Sequence, residues 1–223
     1  QVAHMTSVSV PEYISRVKEM KAAGMEWLVL ETTSHALAQH RVWKVPYSIA
    51  VLTNFTHEHL DYHGTFERYV AAKKMLFEQC NSNRKGLRTG IINAEDGSAD
   101  LFAKAIKNSV TYGLESGDIT ASNVTLSPRG SSYTAKAGND EYQIKCNLPG
   151  SFNVANSLAA IGVGRALKLS KSEIEQGIAA LTGVDGRMET IDEGQDFDVV
   201  VDYAHTPDSF EKIFKDFRPV TKG

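Results

Sequence analysis

An α/β fold, with a mainly parallel sheet flanked by helices and a small antiparallel meander beside it, is the architecture that this 223-residue chain predicts. Two observations predict the parallel part. A short apolar run, Tyr47–Leu52, stops at Thr53-Asn54 and passes through a polar turn into a capped helix, and the same order returns at Arg88–Ile106 and Asp196–Phe217. These units place their turns at the carboxyl edge of a sheet, where open α/β folds bind ligands. A third observation predicts the meander: ITASNVTL, SSYTAKA and EYQIKCNL alternate in polarity and are split by Pro128-Arg129-Gly130 and Gly138-Asn139-Asp140, both hairpin signals.

Composition sets ordinary bounds. At 42% hydrophobic and 23% charged, the chain can bury a core and has the length of one domain plus part of another. The net charge of −3 comes from 24 basic and 27 acidic residues, well mixed, which points to neither a nucleic-acid nor a membrane partner. Cys80 and Cys146 lie far apart, outside any zinc or CxxC pattern, which suits a reducing cytoplasm. No apolar run is long enough to span a bilayer, and the amino terminus lacks a secretion pattern.

In chain order, a polar loop leads to a helix from Pro11 to Ala23 with Gly24 as its stop, and then to a strand at Trp27–Leu30. Glu31 ends that strand and opens ETTSHALAQHR, which sets a carboxylate, three hydroxyls and His35 at the sheet edge. After the buried strand Tyr47–Leu52 the loop carries His57, Glu58, His59, Asp61 and His63 before Gly64. Thr65 caps a helix to about Gln79, whose apolar side by helical spacing is Phe66, Tyr69, Val70, Lys73, Leu76 and Phe77. Lys73 thus sits mid-face, where an ammonium must pair, shift its pKa or snorkel. Lys74 lies opposite, as a solvated ion pair with Glu78.

Further on come strand GIINAEDG, a helix at about Ser98–Ile106, strand SVTYG and the meander. A helix starts after Gly150 with Asn153 and Asn156 on one exposed side, and another runs from Lys171 to Leu181. DFDVVVD reads as a buried strand, followed by a helix with Thr206 as N-cap and Pro207 in its first position.

Five ordered blocks, ETTSHALAQHR, HLDYHG with Lys73, GSFNVAN, GRME and VVVDYAHTPDS, resemble the Mur ligases, and HLDYHG is similar above all to the UDP-N-acetylmuramoyl-tripeptide synthetases. The resemblance implies residues 1–184 as the central ATP-binding domain, truncated at its amino end. Residues 185–223 are then the hinge and first strand-helix unit of a truncated C-terminal ligase domain. It implies Glu31, His59 and a carbamylated Lys73 as Mg²⁺ ligands, with Lys73 and His59 catalytic. Thr6, Ser7, Thr33, Gln39 and Arg41 would contact the UDP-muramoyl-peptide. Asn153, Asn156, Arg187, Asp202, Tyr203 and His205 would face ATP. Carbamylation turns a cation into a hard oxygen donor suited to magnesium. The implied activity, in cell wall synthesis, joins diaminopimelate or lysine to UDP-MurNAc-L-Ala-D-Glu through an acyl phosphate, in the cytoplasm and as a monomer.

No G-x-x-x-x-G-K-(S/T) occurs, so the family's phosphate-cradling loop is missing from this sequence and the chain alone is expected to be inactive. Three other readings stay open: a related Mur-type or folylpolyglutamate-type ligase, a non-catalytic binding module, and a metallo-hydrolase built on His57-x-His59-x-Asp61, in which His63 falls one residue late.

Overall fold

A computed structural model describes residues 8–55 and 59–220. Thr6, Ser7, His57 and Glu58 lie outside them. Contacts group the chain into two compact units, Gln1–Ala50 with Phe55–Gly90 and Asp100–Asn108, and Val51–Asn54 with Ile91–Ala99 and Ser109–Gly223. One six-stranded sheet has the order β1 (Ile49–Leu52), β2 (Thr89–Asn93), β3 (Asn108–Gly113), β4 (Ile119–Ser127), β5 (Gly130–Ala137), β6 (Asp140–Cys146). β3 and β4 run parallel, while β4, β5 and β6 are antiparallel neighbours. The α/β class holds, and the meander continues the sheet instead of lying beside it.

In the first unit, α1 (Val10–Ala22) carries Pro11 in its first turn and an Arg16–Glu12 ion pair of 2.6 Å one turn apart, and buries no residue. Residues 25–33 form neither strand nor helix, which corrects the strand expected at Trp27–Leu30. Trp27 is 66% and Val29 96% exposed. A strand exists only through a neighbour's hydrogen bonds, and none of the described residues supplies them here. The short α2 (Ser34–Ala38) is capped by Thr33, whose Oγ1 accepts from the Ala36 amide at 3.1 Å. α3 (Leu60–His63) leads into α4 (Phe66–Ser82), capped as expected by Thr65, which accepts from the Arg68 amide. Tyr69, Val70, Ala72, Phe77 and Cys80 are its buried face; Lys73, Leu76 and Phe66 are half-buried. Lys74 pairs with Glu78 at 3.4 Å.

The helix expected at Ser98–Ile106 is the shorter α5 (Ala99–Ala103). Its Phe102 closes an aromatic cluster with Phe55 at 5.9 Å and Phe77 at 5.0 Å, while Phe55 stacks on Tyr69 at 4.5 Å.

In the second unit, α6 (Ser151–Ala166) buries Val154, Leu158 and Ile161, and Tyr133 Oη and Ser157 Oγ share a 2.6 Å hydrogen bond. α7 (Lys171–Ala180) opens with a capping box, Ser170 with Glu173. β7 (Glu189–Ile191) and β8 (Val199–Val201) form a separate antiparallel pair. The latter is not the buried strand expected from its valines, since Val199 and Val201 are exposed. Thr206 caps α8 (Pro207–Phe217), with Pro207 at its first position, as the sequence implied.

Two glycines in these helices separate packing from propensity. A Cβ on Gly162 would stand 2.8 Å from Ile91 Cγ2, and Ile91 and Ile119 are fully buried with no room to move. On the exposed Gly177 of α7 a Cβ meets nothing within 4 Å. Helix propensity favours alanine over glycine by about 1 kcal/mol, but overpacking a filled core costs about 1–3 kcal/mol. Gly177→Ala is therefore expected to raise the urea midpoint and Gly162→Ala to lower it; the same sign for both would contradict the packing account.

Candidate active site

α2, α3 and α4 meet around three imidazoles. His63 is 7% exposed, and its Nε2 shares a 3.0 Å hydrogen bond with Ser34 Oγ at the start of α2. The pairing is required, because a buried ring nitrogen without a partner costs about 1–3 kcal/mol. His35, on the next residue of α2, lies 4.9 Å from the His59 ring, 5.5 Å from His63 and 4.2 Å from Tyr62. The Tyr69 ring, from α4, stands 5.2 Å from His63 and 5.9 Å from His59. Lys73 Nζ lies 6.0 Å from the same ring, one turn further along α4.

Local backbone aims this group. His59 is left-handed (φ 57°), as is Gly64 (φ 76°), so α3 is a single tight turn between two residues of positive φ. For a histidine that conformation costs about 1–2 kcal/mol, a strain that clusters at functional sites. Next to the turn is a cavity of about 630 Å³ lined by Tyr62, His63, Arg68, Lys74, Met75 and Glu78, among others.

The surroundings of His63 and His35 disfavour their charged forms. Burial pushes the His63 imidazole below its ordinary value, and His35, His59 and Lys73 push the same way against Asp61. His35 is lowered first by burial, then by His59, with Arg41 adding to it and Asp61 opposing. A neutral imidazole is the form that accepts a hydrogen bond or ligates a metal.

The residues expected to bind a muramoyl-peptide border this group. Thr33 caps α2, Gln39 follows it and donates from Nε2 to Tyr62 Oη at 3.1 Å, and Arg41 is half-buried just beyond. Glu31 is exposed on the irregular segment before α2. Among the described residues no group of three or more His, Cys, Asp or Glu side chains is arranged to hold a metal.

The nucleotide-facing expectations fall in the second unit. Asn153 is not on an exposed side: it is 8% exposed, and its Nδ2 donates to the Pro149 carbonyl at 2.8 Å. The exposed Asn156 donates to Asn153 Oδ1 at 3.2 Å. Arg187, Asp202, Tyr203 and His205 do come together. The Arg187 guanidinium lies over the Tyr203 ring at 5.3 Å, and Tyr203 and His205 rings are 5.0 Å apart. Asp202 accepts from the Met188 and Ala204 amides at 2.9 and 2.7 Å, while Tyr203 N donates to the Gly186 carbonyl.

Sequence reasoning passed over Tyr62 and Ser34, took His63 only as a loop histidine that falls late for a metallo-hydrolase, and placed Tyr69 only on the apolar side of its helix. The available signal was that His63 and Tyr62 share the histidine-rich turn with His59; nothing local links them to Ser34, 29 residues away.

Comparison with known proteins adds the family context. The Mur ligase middle domain model matches residues 3–164. UDP-N-acetylmuramoyl-L-alanyl-D-glutamate–2,6-diaminopimelate ligases are similar: that of Bacillus licheniformis is 38% identical over 96% of this chain and 46% of its own length. That of Halalkalibacterium halodurans is 39% identical over 92% and 42%. The chain thus spans less than half of these curated relatives. A solved structure of a ligase of that name superposes with a TM-score of 0.80 at 30% identity, over 95% of this chain and 44% of that one. A MurF structure from Acinetobacter baumannii shares the fold at a TM-score of 0.69 and 22% identity, over 78% of this chain and 38% of that one.

The lowered His63 pKa has a signed consequence. The unfolded histidine titrates near its ordinary 6.5 and the folded one below it, so the unfolded chain binds more protons in that window. Stability is complete above about pH 6.5 and falls as pH drops through it. Acidification from about pH 7.5 to about 5.5 is expected to lower the urea midpoint. His63→Gln, which keeps a polar partner for Ser34 without titrating, should show a smaller drop; an equal drop would place the acid sensitivity elsewhere.

Proposed function

Because this chain belongs to the Mur ligase family through its middle domain, we propose that it is part of an ATP-dependent ligase that adds the third amino acid to UDP-MurNAc-L-Ala-D-Glu. The relatives' names favour diaminopimelate over lysine as that residue. Residues 1–184 then serve as the central domain and 185–223 as the hinge and first unit of the next. The setting is cytoplasmic peptidoglycan synthesis, with the protein acting as a monomer.

The observation that carries this reading is that His59 and Lys73 border one ring, Tyr69, at 5.9 and 6.0 Å, with His59 held in a strained turn. A carbamate on Lys73 removes the cost of a half-buried ammonium on the apolar side of α4 and brings hard oxygens next to an imidazole, a donor set that fits Mg²⁺. Glu31, in the segment before α2, would be the third ligand. The chemistry that magnesium supplies when bound is neutralisation of charge on a phosphoryl group in transfer.

The γ-phosphoryl of ATP passes to the D-glutamyl carboxylate, giving an acyl phosphate and ADP. The amine of the incoming residue attacks the acyl carbon and phosphate leaves. The chain's own part is positioning, the main contribution a protein makes to phosphoryl transfer. Thr33, Gln39 and Arg41, with Thr6 and Ser7, hold the muramoyl-peptide. Arg41 suits a phosphate or carboxylate, since its fork grips two oxygens at once. Asn153 and Asn156 border the nucleotide base, the former through backbone that it braces. Arg187, Asp202, Tyr203 and His205 face the nucleotide from the hinge side.

The test is Lys73→Ala in the full-length protein. Ligase activity is expected to fall to background and to return in part with added short carboxylic acids, which replace the missing oxygens. Rescue by small amines instead would make Lys73 a cation and remove the carbamate reading.

A further inference from the structure

Gln39 follows α2 directly and is exposed, yet its amide is not loose: Nε2 donates to Tyr62 Oη at 3.1 Å, across 23 residues of sequence. Tyr62 is itself held. Its ring packs at 4.2 Å on His35 of α2 and meets the His63 ring at 4.9 Å nearly edge-on. His63 is buried and bonded to Ser34, again on α2. The phenol is therefore fixed relative to α2 by two rings and a hydrogen bond, while 44% exposure leaves it at the rim of the cavity it lines with Arg68 and Lys74.

We infer that Tyr62 is a positioning residue that holds the Gln39 side chain in place for the muramoyl-peptide, an inference that rests on the reading of Gln39 as a substrate contact. The phenol engages one end of the amide and leaves the other to meet a ligand. Without the phenolic oxygen the side chain loses that anchor, and binding loses the preorganisation.

The test uses the full-length protein and UDP-MurNAc-L-Ala-D-Glu, with equilibrium binding beside steady-state kinetics. Tyr62→Phe keeps both ring contacts and deletes only the hydroxyl. It is expected to weaken binding about three- to tenfold, the range of one net hydrogen bond, with the loss in KM and not in kcat. Gln39→Ala is expected to cost at least as much, and the double variant no more than Gln39→Ala, because the two act as one unit. Unchanged binding in Tyr62→Phe, or losses that add in the double variant, would overturn the positioning role while leaving Gln39 as a contact. Unchanged binding in Gln39→Ala would remove the substrate contact and the inference with it.

Discussion

A buried imidazole that has to be paired organises the first unit. His63 is enclosed by Tyr62 and Tyr69 and reaches Ser34 Oγ at 3.0 Å, so the start of α2 is tied to the end of α3. Loss of that partner would leave a ring nitrogen buried and unsatisfied, a cost comparable to a large fraction of a domain's net stability. Thr33, Gln39 and Arg41 take their places from α2, and His59 takes its place from the turn that α3 completes. The bond between Ser34 and His63 thus registers the proposed substrate contacts against the proposed metal ligands.

The same economy governs the second unit around residues 186–204. Met188 has a positive φ of 49° and is buried, and its amide is taken by the Asp202 carboxylate, which also binds the Ala204 amide. One side chain thereby pins both ends of a short crossing, and Arg187 is left over the Tyr203 ring. Such a cation–π contact at an exposed site is worth only about 0.5–1 kcal/mol, little enough for a nucleotide phosphate to displace. Asp202 holds the arginine's backbone in place, and the arginine side chain stays available.

Local chemistry was legible in advance. Thr65 and Thr206 cap helices because a side-chain oxygen three residues before an orphan amide satisfies it, whatever the rest of the chain does. The Lys74–Glu78 pair and the turn at Gly138 are local in the same sense. Trp27–Leu30 is the opposite case. Its β-rich composition is a propensity, and a propensity for strand has no effect until another strand lies alongside. Asn153 failed for a related reason: spacing places it with Asn156, but which side of α6 is covered depends on the sheet it packs against.

By itself, then, the sequence determined the α/β order of elements, their caps and turns, and the family, because each of these is written in residues a few positions apart. Tertiary structure alone decided that His35, His59, His63 and Tyr62 cluster with Tyr69 and Lys73, that Gln39 is held by a phenol, and that Asn153 is buried. These contacts join elements separated by tens of residues. Spacing rules describe one helix or strand at a time, and burial and ring contacts between elements exist only once those elements have packed.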